Sequence, residues 1–212
     1  MRRPDRNEFD RQVGNLIQAG YPAFVGLDEE AFKEQLAPLR ERVQLLPMPE
    51  EIEARQGHVP YIIVVRSDGL SGDKAMEQVE RQGKRGFSIM DAEELRGFQP
   101  IEGVELPAGI AYVAADIDRG METLNVTPNE ALKTLVQQGR SPLTIEEGIA
   151  LLTHYPDILQ KNNGFSLLAS RCGDRRVTAL WISGGRPKLG WCWAGNPHTW
   201  LGSASCGRRI GG

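Results

Sequence analysis

The sequence predicts an α+β fold with a helical N-terminal portion, a mixed α/β body and a C-terminal antiparallel β-meander. Before about residue 160, apolar residues recur mainly at helical spacing, with two apolar runs rich in β-branched residues between the helices. From Gly164 onward, short β-branched and aromatic runs alternate with Gly-rich turns. The chain has 212 residues, 40% of them hydrophobic, which is enough to bury a core.

The chain divides into three predicted regions. Residues 1–56 are expected to form the helical portion, and residues 57–202 are expected to form an α+β body that ends in the meander. Residues 203–212 are small, Gly-rich and basic, so we expect a flexible tail there.

Capping patterns and apolar periodicity locate the helices. Thr127 and Thr144 each precede a glutamate by three residues, which is the spacing of a capping box and marks a helix N-terminus. Pro38 is expected to break or kink the helix that Asp28 caps, because proline removes a backbone hydrogen bond. The predicted helices cover about residues 8–19, 28–46, 74–81, 128–138 and 145–153, with a further helix start at 91 and a short turn from 156.

The strands are predicted from β-branched and aromatic runs. Val59–Val65 is continuous enough to suggest a central strand. The other predicted strands are 109–117 in the body and 165–171, 177–183 and 188–193 in the meander.

The last two strands should form a hairpin with a defined register. If residues 184–187 are its loop, Ser183 pairs with Lys188, which also places Leu180 opposite Trp191. Trp181 then lies across from Gly190, whose missing side chain leaves room for an indole.

The composition favours a cytoplasmic protein without a cofactor. No apolar run approaches the roughly 20 residues that span a bilayer, so no membrane partner is expected, and polar residues follow the basic Met1–Arg3 start where a signal peptide would be apolar. Cys172, Cys192 and Cys206 form no CxxC pair, so we expect free thiols and no metal site. The motifs of phosphate loops, dinucleotide sites, zinc proteases and serine hydrolases are missing as well.

Charge is distributed unevenly along the chain. The formal net charge is −3, but from Lys161 to the end eight Lys and Arg residues stand against one acid, Asp174. This asymmetry indicates either a basic surface for an anionic partner or pairing with the acidic remainder of the chain.

Tryptophan clusters in the same basic part of the chain. Arg186–Gly202 contains three of the four tryptophans. Trp181 and Trp191 lie in mid-strand and are expected mainly in the core, whereas Trp193 and Trp200 bracket a turn, where a ligand wall is as well supported as packing. We therefore predict a binding site for an anionic small molecule, peptide or protein partner, formed by Arg186, Lys188, Trp193, Asn196, His198 and Trp200.

Two other functions fit the same sequence. One is nucleic-acid binding by the basic, aromatic C-terminal surface. The other is a hydrolase or transferase that uses His198 as a general base or a metal ion at Asp116 and Asp118. Each has a structural alternative, since a histidine can bond the turn backbone and two aspartates can form a turn.

Several segments carry a resemblance to a known family. They are 140–148 (RSPLTIEEG), 174–177 (DRRV), 179–183 (ALWIS), 187–193 (PKLGWCW) and 195–202 (GNPHTWLG). Together they resemble a bacterial domain-of-unknown-function family found mainly in high-GC bacteria, and the 19 Arg against six Lys fit such a genome. The likeness extends over most of the chain. It implies a bacterial cytoplasmic protein and no particular reaction or site.

Overall fold

The computed structural model describes residues 4–66 and 69–212, and it shows the predicted α+β architecture with antiparallel sheets. The basic start at Met1–Arg3 and residues 67–68 of the polar loop lie outside the described residues. The helices are α1 (Pro4–Gln18), α2 (Tyr21–Phe24), α3 (Glu29–Val43), α4 (Gly72–Gln78), α5 (Ala92–Arg96), α6 (Pro128–Gln137) and α7 (Ile145–His154), with 3₁₀ turns at Ala54–Gln56, Met121–Thr123 and Pro156–Ile158.

The strands form two main sheets and two short pairs. The first sheet has the order β1-β6-β13-β7, the second has the order β12-β8-β10-β11-β4, and the pairs are β2-β3 and β5-β9. The strands are β1 (His58–Val65), β2 (Glu80–Arg81), β3 (Lys84–Arg85), β4 (Phe87–Ser88), β5 (Gln99–Pro100), β6 (Ala111–Asp118), β7 (Ser141–Pro142), β8 (Gly164–Leu167), β9 (Ser170–Arg171), β10 (Arg176–Ser183), β11 (Arg186–Trp193), β12 (Leu201–Ser203) and β13 (Ser205–Gly211).

Helix α7 lies between the two main sheets and is buried on nearly every side. Leu151 belongs to a core cluster that also contains Val64 of the first sheet and Leu180 of the second. Gly148 allows α7 to lie close to the second sheet, because a Cβ at this position would lie 2.5 Å from a methyl group of Leu167 on β8. A helix that is apolar all round is typical of such a central position.

Helices α1 and α3 cover the other face of the first sheet. Phe9 and Leu16 of α1 and Phe32 of α3 pack in one cluster with Tyr61 and Val113 of the sheet. The N-terminal helices therefore contact the body directly, and the division at residue 56 stays a prediction. None of the helices among the described residues is long and apolar enough to cross a membrane.

The predicted caps are present, but only the one at Thr144 is a complete capping box. Thr127 accepts a hydrogen bond from the Glu130 amide, and Thr144 and Glu147 form a complete, reciprocal capping box. Asp28 caps α3 in the same way. Short-range capping chemistry is thus readable from the sequence, because the partners lie three residues apart.

Residues 203–212 do not form a flexible tail, and that prediction is wrong. Ser205–Gly211 is β13, which is paired with β6 on one side and with β7 on the other. The small residues have a packing reason: a Cβ on Gly207 would lie 2.7 Å from the Asp116 carboxylate, and Cys206 is completely buried.

Two further expectations need correction. Strand β1 is at the edge of its sheet and not at the centre, which accommodates Pro60 because an edge strand tolerates a missing donor. Helix α3 continues to Val43, so of the break or kink expected at Pro38 the break is wrong, and the kink stays a prediction. Burial of Leu36, Leu39 and Val43 compensates for the lost hydrogen bond.

The meander is present, but its last hairpin has a different register. The order β8-β10-β11 is antiparallel, as predicted, and β12 and β4 add parallel strands at its sides. The turn contains only Gly184 and Gly185, with φ of 59° and 77°, as a type I′ turn requires. Ser183 therefore pairs with Arg186 and not with Lys188.

This shift of two residues keeps each side chain on its predicted face. Leu180 now lies opposite Leu189 instead of Trp191. A Cβ on Gly190 would still overlap the Trp181 ring. The indole therefore occupies the space left by Gly190, although the two residues are diagonal neighbours in the hairpin and not directly opposite each other.

His154 makes the stability of the fold depend on pH. Its ring is completely buried, and burial lowers its pKa to about 4, although the hydrogen bond from Nε2 to the Ile63 carbonyl (2.8 Å) opposes this. Between the unfolded value of about 6.5 and a pH of about 4, only the unfolded state takes up the proton, so stability falls as the pH falls, by about 1.4 kcal/mol per pH unit. We expect this site to remove about 2 kcal/mol from the free energy of unfolding between pH 7 and pH 5.

Urea unfolding at both pH values checks this expectation. His154→Gln keeps a donor near Ile63 but does not titrate, so the variant should lose about 2 kcal/mol less than the wild type over the same interval. An identical pH dependence in the two proteins would contradict it.

Candidate functional site

Cationic and aromatic side chains alternate on one face of the hairpin β10–β11. The Arg186 guanidinium lies 4.7 Å from the centre of the Phe87 ring. The Lys188 ammonium lies 6.0 Å from the same ring and 4.8 Å from the centre of the Trp181 ring. We call this surface the cation–aromatic strip, and it consists of Arg186, Phe87, Lys188, Trp181, Trp200 and His198.

The strip continues from Trp181 into the turn before β12. The Trp181 and Trp200 rings meet edge to face with centroids 5.9 Å apart, and the His198 ring is 5.4 Å from that of Trp200. The His198 carbonyl accepts a hydrogen bond of 2.9 Å from the Asn125 amide, which anchors the turn. Six side chains from three separate segments thus form one continuous surface.

Among the residues that the structure describes, the cations of the strip have no acidic partner. Within residues 4–66 and 69–212, neither Arg186 nor Lys188 forms a salt bridge, and neither do the adjacent Lys84 and Arg85. Arg186 instead donates to the carbonyls of Arg85 (2.8 Å) and Gly86 (3.4 Å). The expectation that the acidic part of the chain pairs with these basic residues therefore does not hold at the strip.

Arg176 behaves differently from these cations. It pairs with Asp174 at 2.8 Å and with Glu94 of α5 at 2.9 Å. Hydrogen bonds from the Arg176 amide, the Cys172 thiol and the Arg176 side chain lower the pKa of Asp174 to about 2. The charge of Arg176 is therefore neutralised within the fold, unlike the charges of Arg186 and Lys188 in the strip.

Four of the six residues predicted for the site lie together, one lies on the opposite face, and one is exposed without a contact that places it in the strip. Arg186, Lys188, His198 and Trp200 belong to the strip. Trp193 lies on the opposite face of the hairpin, because neighbouring positions along a strand alternate. It contacts Trp191 with ring centroids 4.8 Å apart and is 43% exposed. Asn196 is exposed in the turn.

Two members of the strip were not predicted. The parallel pairing of β4 with β11 places Phe87 next to Lys188. No local pattern in the sequence indicates this pairing. Trp181 was expected mainly in the core, but it is half-buried. Its position opposite Lys188 depends on the corrected register.

His198 has no acid–base partner among the described side chains. Its Nε2 is buried and makes no hydrogen bond there. The ring instead packs against Trp200. The structural alternative was that His198 hydrogen-bonds the backbone of the turn. The His198 carbonyl makes such a bond, but the ring does not.

The three cysteines are free thiols. Cys192 points to the face opposite Trp191 and Trp193, as expected, and burial raises its pKa. Burial likewise raises the pKa of Cys206 to about 12. These shifts disfavour the thiolate, so both groups are poor nucleophiles.

Asp116 and Asp118 face other protein groups. Asp116 Oδ1 lies 3.0 Å from His58 Nε2, Asp116 Oδ2 accepts from Arg140 at 2.7 Å, and the second nitrogen of His58 is 3.8 Å from Asp118. Across the described part of the chain, no group of three or more His, Cys, Asp or Glu side chains could hold a metal ion.

A comparison with protein-family models places the chain in a family. The model described as a family of unknown function, DUF5701, matches residues 15–212. The chain belongs to DUF5701. The matched residues of this DUF5701 chain include every segment that carried the resemblance and the whole strip. No curated protein and no solved structure matches it.

Proposed function

We propose that this protein is a binding module that holds an anionic ligand on the cation–aromatic strip. The observation that carries the proposal is that Arg186 and Lys188 are held against aromatic rings while no carboxylate in the described part of the chain competes for them. Rings fix these flexible side chains before a ligand arrives, which lowers the entropic cost of binding. An anion would meet positive charge that is already in place.

The class of anion follows from the groups present. Arginine and lysine both favour phosphate and carboxylate oxygens. The Trp200 and His198 rings extend the surface beyond the charged end, so a ligand with a flat or apolar portion next to its charge would contact both ends of the strip. Small phosphorylated molecules and acidic peptides fit this description.

Single-stranded nucleic acid is the second candidate. The alternation of two cations with three large aromatic rings supports it, because such surfaces bind phosphates and stack bases. It predicts a steep salt dependence, in which the logarithm of the association constant falls linearly with the logarithm of the salt concentration. An acidic peptide of equal charge would then bind more weakly than an oligonucleotide.

Lys188→Ala tests the strip against a matched control. Titrations would use inorganic pyrophosphate, a hexaglutamate peptide and an oligothymidylate of about ten nucleotides at low salt. We expect Lys188→Ala to weaken the binding of the best probe about tenfold, because one charge-assisted contact is lost. Arg175→Ala is the control, since Arg175 lies 5.6 Å over the Trp193 ring on the other face, and it should leave the affinity unchanged.

The outcome also separates the two candidates. If oligothymidylate binds best and Trp200→Ala weakens it, nucleic acid is the ligand class; if pyrophosphate or hexaglutamate binds best, the first proposal stands. Equal losses for Lys188→Ala and Arg175→Ala would show that only overall charge matters, and the absence of binding by every probe would overturn both.

A further inference from the structure

A cleft of about 770 Å³ opens between the first sheet and the segment 46–56. Its walls are largely apolar and include Met48 and Ile52 from the segment and Pro60 and Ala115 from the sheet. This volume is in the range of small-molecule sites. The cleft is lined by none of the residues of the cation–aromatic strip.

An irregular point in the sheet places Asp116 in the lining of this cleft. Asp116 has a φ of 58°, in the left-handed region that aspartate tolerates better than most residues. Ala115 consequently faces the helix cluster, whereas Ile117 faces the α7 cluster. Both would face the same side in a regular strand. Gly207 opposite leaves the space that the carboxylate occupies.

The Asp116 carboxylate is oriented and still has room for a ligand. His58 engages one oxygen and Arg140 the other. Arg140 also donates to the Asp116 carbonyl at 2.6 Å and to the Ser205 hydroxyl at 2.8 Å. A carboxylate offers about four acceptor positions, so two remain, and its side chain is 52% exposed.

The charges around the cleft favour a cation. Glu51, Glu53 and Asp116 line it, against one arginine, Arg208. The carboxylates of Glu51 and Glu53 form no salt bridge with any residue in the described ranges. An ammonium group in the cleft would therefore meet three carboxylates, of which Arg140 and His58 already engage Asp116 and Gln56 engages Glu53, whereas a ligand that carries a carboxylate would be repelled by Glu51 and Glu53.

We propose that this cleft is a second binding site, which takes an apolar molecule that carries a protonated amine. The apolar body lies against Met48, Ile52 and Ala115, and the amine donates to Asp116 between the glutamates of the rim. The site is independent of the anion site proposed above, because the two share no residue and attract opposite charges.

Three probes of equal chain length test the proposal: hexylamine, hexanol and hexanoate, each titrated into the full chain and followed by calorimetry or protein NMR. We expect hexylamine to bind most tightly and hexanoate least. Asp116→Asn should weaken hexylamine about tenfold and leave hexanol unchanged, since asparagine keeps the shape and tolerates the same φ. Ile52→Trp should fill the cleft and weaken hexylamine and hexanol together.

A second test changes exposed residues outside the sheet, so a loss of binding cannot be caused by damage to the sheet. Glu51→Gln/Glu53→Gln should weaken hexylamine several-fold. Glu34→Gln/Glu41→Gln removes the same charge from exposed positions of α3 that do not line the cleft, and it should have no effect. The proposal is overturned if hexanoate binds as tightly as hexylamine, if no probe binds, if Ile52→Trp changes nothing, or if both double variants lose equal affinity.

Discussion

Replacing Arg209 with Met is expected to destabilise the protein by about 3–5 kcal/mol, because it leaves a carboxylate buried without its counter-charge. Arg209 lies on β13 with its side chain 7% exposed, and its partner Glu147 on α7 is 0% exposed. The guanidinium donates to both Glu147 oxygens, at 2.6 and 2.8 Å. It also donates to the Ser141 hydroxyl and the Pro142 carbonyl, so one side chain joins α7, β7 and β13.

The pKa values of Arg209 and Tyr112 reflect the neighbouring Glu147 carboxylate. Burial alone would lower the pKa of Arg209, but the Glu147 carboxylate more than offsets it, so the pKa is raised. Burial and the same carboxylate raise the pKa of Tyr112, whose hydroxyl donates to Glu147 at 2.9 Å. A neutral residue at 209 would leave Glu147 with only this hydroxyl and the Thr144 amide.

Urea unfolding followed by circular dichroism measures the effect, and two further variants identify its cause. Arg208→Met changes an exposed arginine on the same strand that makes no ion pair with a described residue, and it should shift stability by less than about 0.5 kcal/mol. Adding Glu147→Gln to Arg209→Met should recover part of the loss, because a buried amide costs less than a buried charge. No recovery would mean that the loss comes from packing and not from the charge.

The second large effect is expected for Gly202→Ala, at about 3 kcal/mol or more, the upper end of the range for overpacking. A Cβ at position 202 would collide with the Gly120 carbonyl, lie 2.8 Å from its carbon and approach the Arg119 carbonyl oxygen at 2.9 Å. These atoms are backbone, so no side chain can rotate away. Strand β12 and the loop after β6 would have to separate.

Gly195→Ala is the matched control for this substitution. It lies seven residues earlier in the chain, and a Cβ there would meet nothing within 4 Å. Its stability should change by less than about 0.5 kcal/mol. Thermal unfolding compares the two variants, and a similar melting temperature for both would show that β12 can move away from Gly120 at little cost.

Local chemistry made part of this fold predictable. The caps at Asp28, Thr127 and Thr144 require only residues close in sequence, and the run Val59–Val65 is a strand because its apolar, β-branched residues leave few alternatives. The faces of the last hairpin followed from alternation even though its register was wrong.

Long-range pairing was not predictable from the same patterns. Nothing local distinguishes Ser205–Gly211 from a solvated tail, because its small residues are explained only by Asp116 and α7 across the sheet. The role of His58 is not predictable for the same reason, since its partner Asp116 comes from another strand. The sequence located four residues of the strip, Arg186, Lys188, His198 and Trp200, whereas Phe87 joins them only through the pairing of β4 with β11 and Trp181 through the corrected register.

The position of β13 has a consequence for how the molecule folds. Ser205 pairs with Asp118 and Cys206 with Ile117, so the interior of the first sheet joins segments far apart along the chain. Contacts of this kind form slowly, because a long loop must close before they stabilise anything. Until that happens, β6 exposes an unpaired edge that can template aggregation between chains. The yield of refolding is therefore expected to fall as the protein concentration rises.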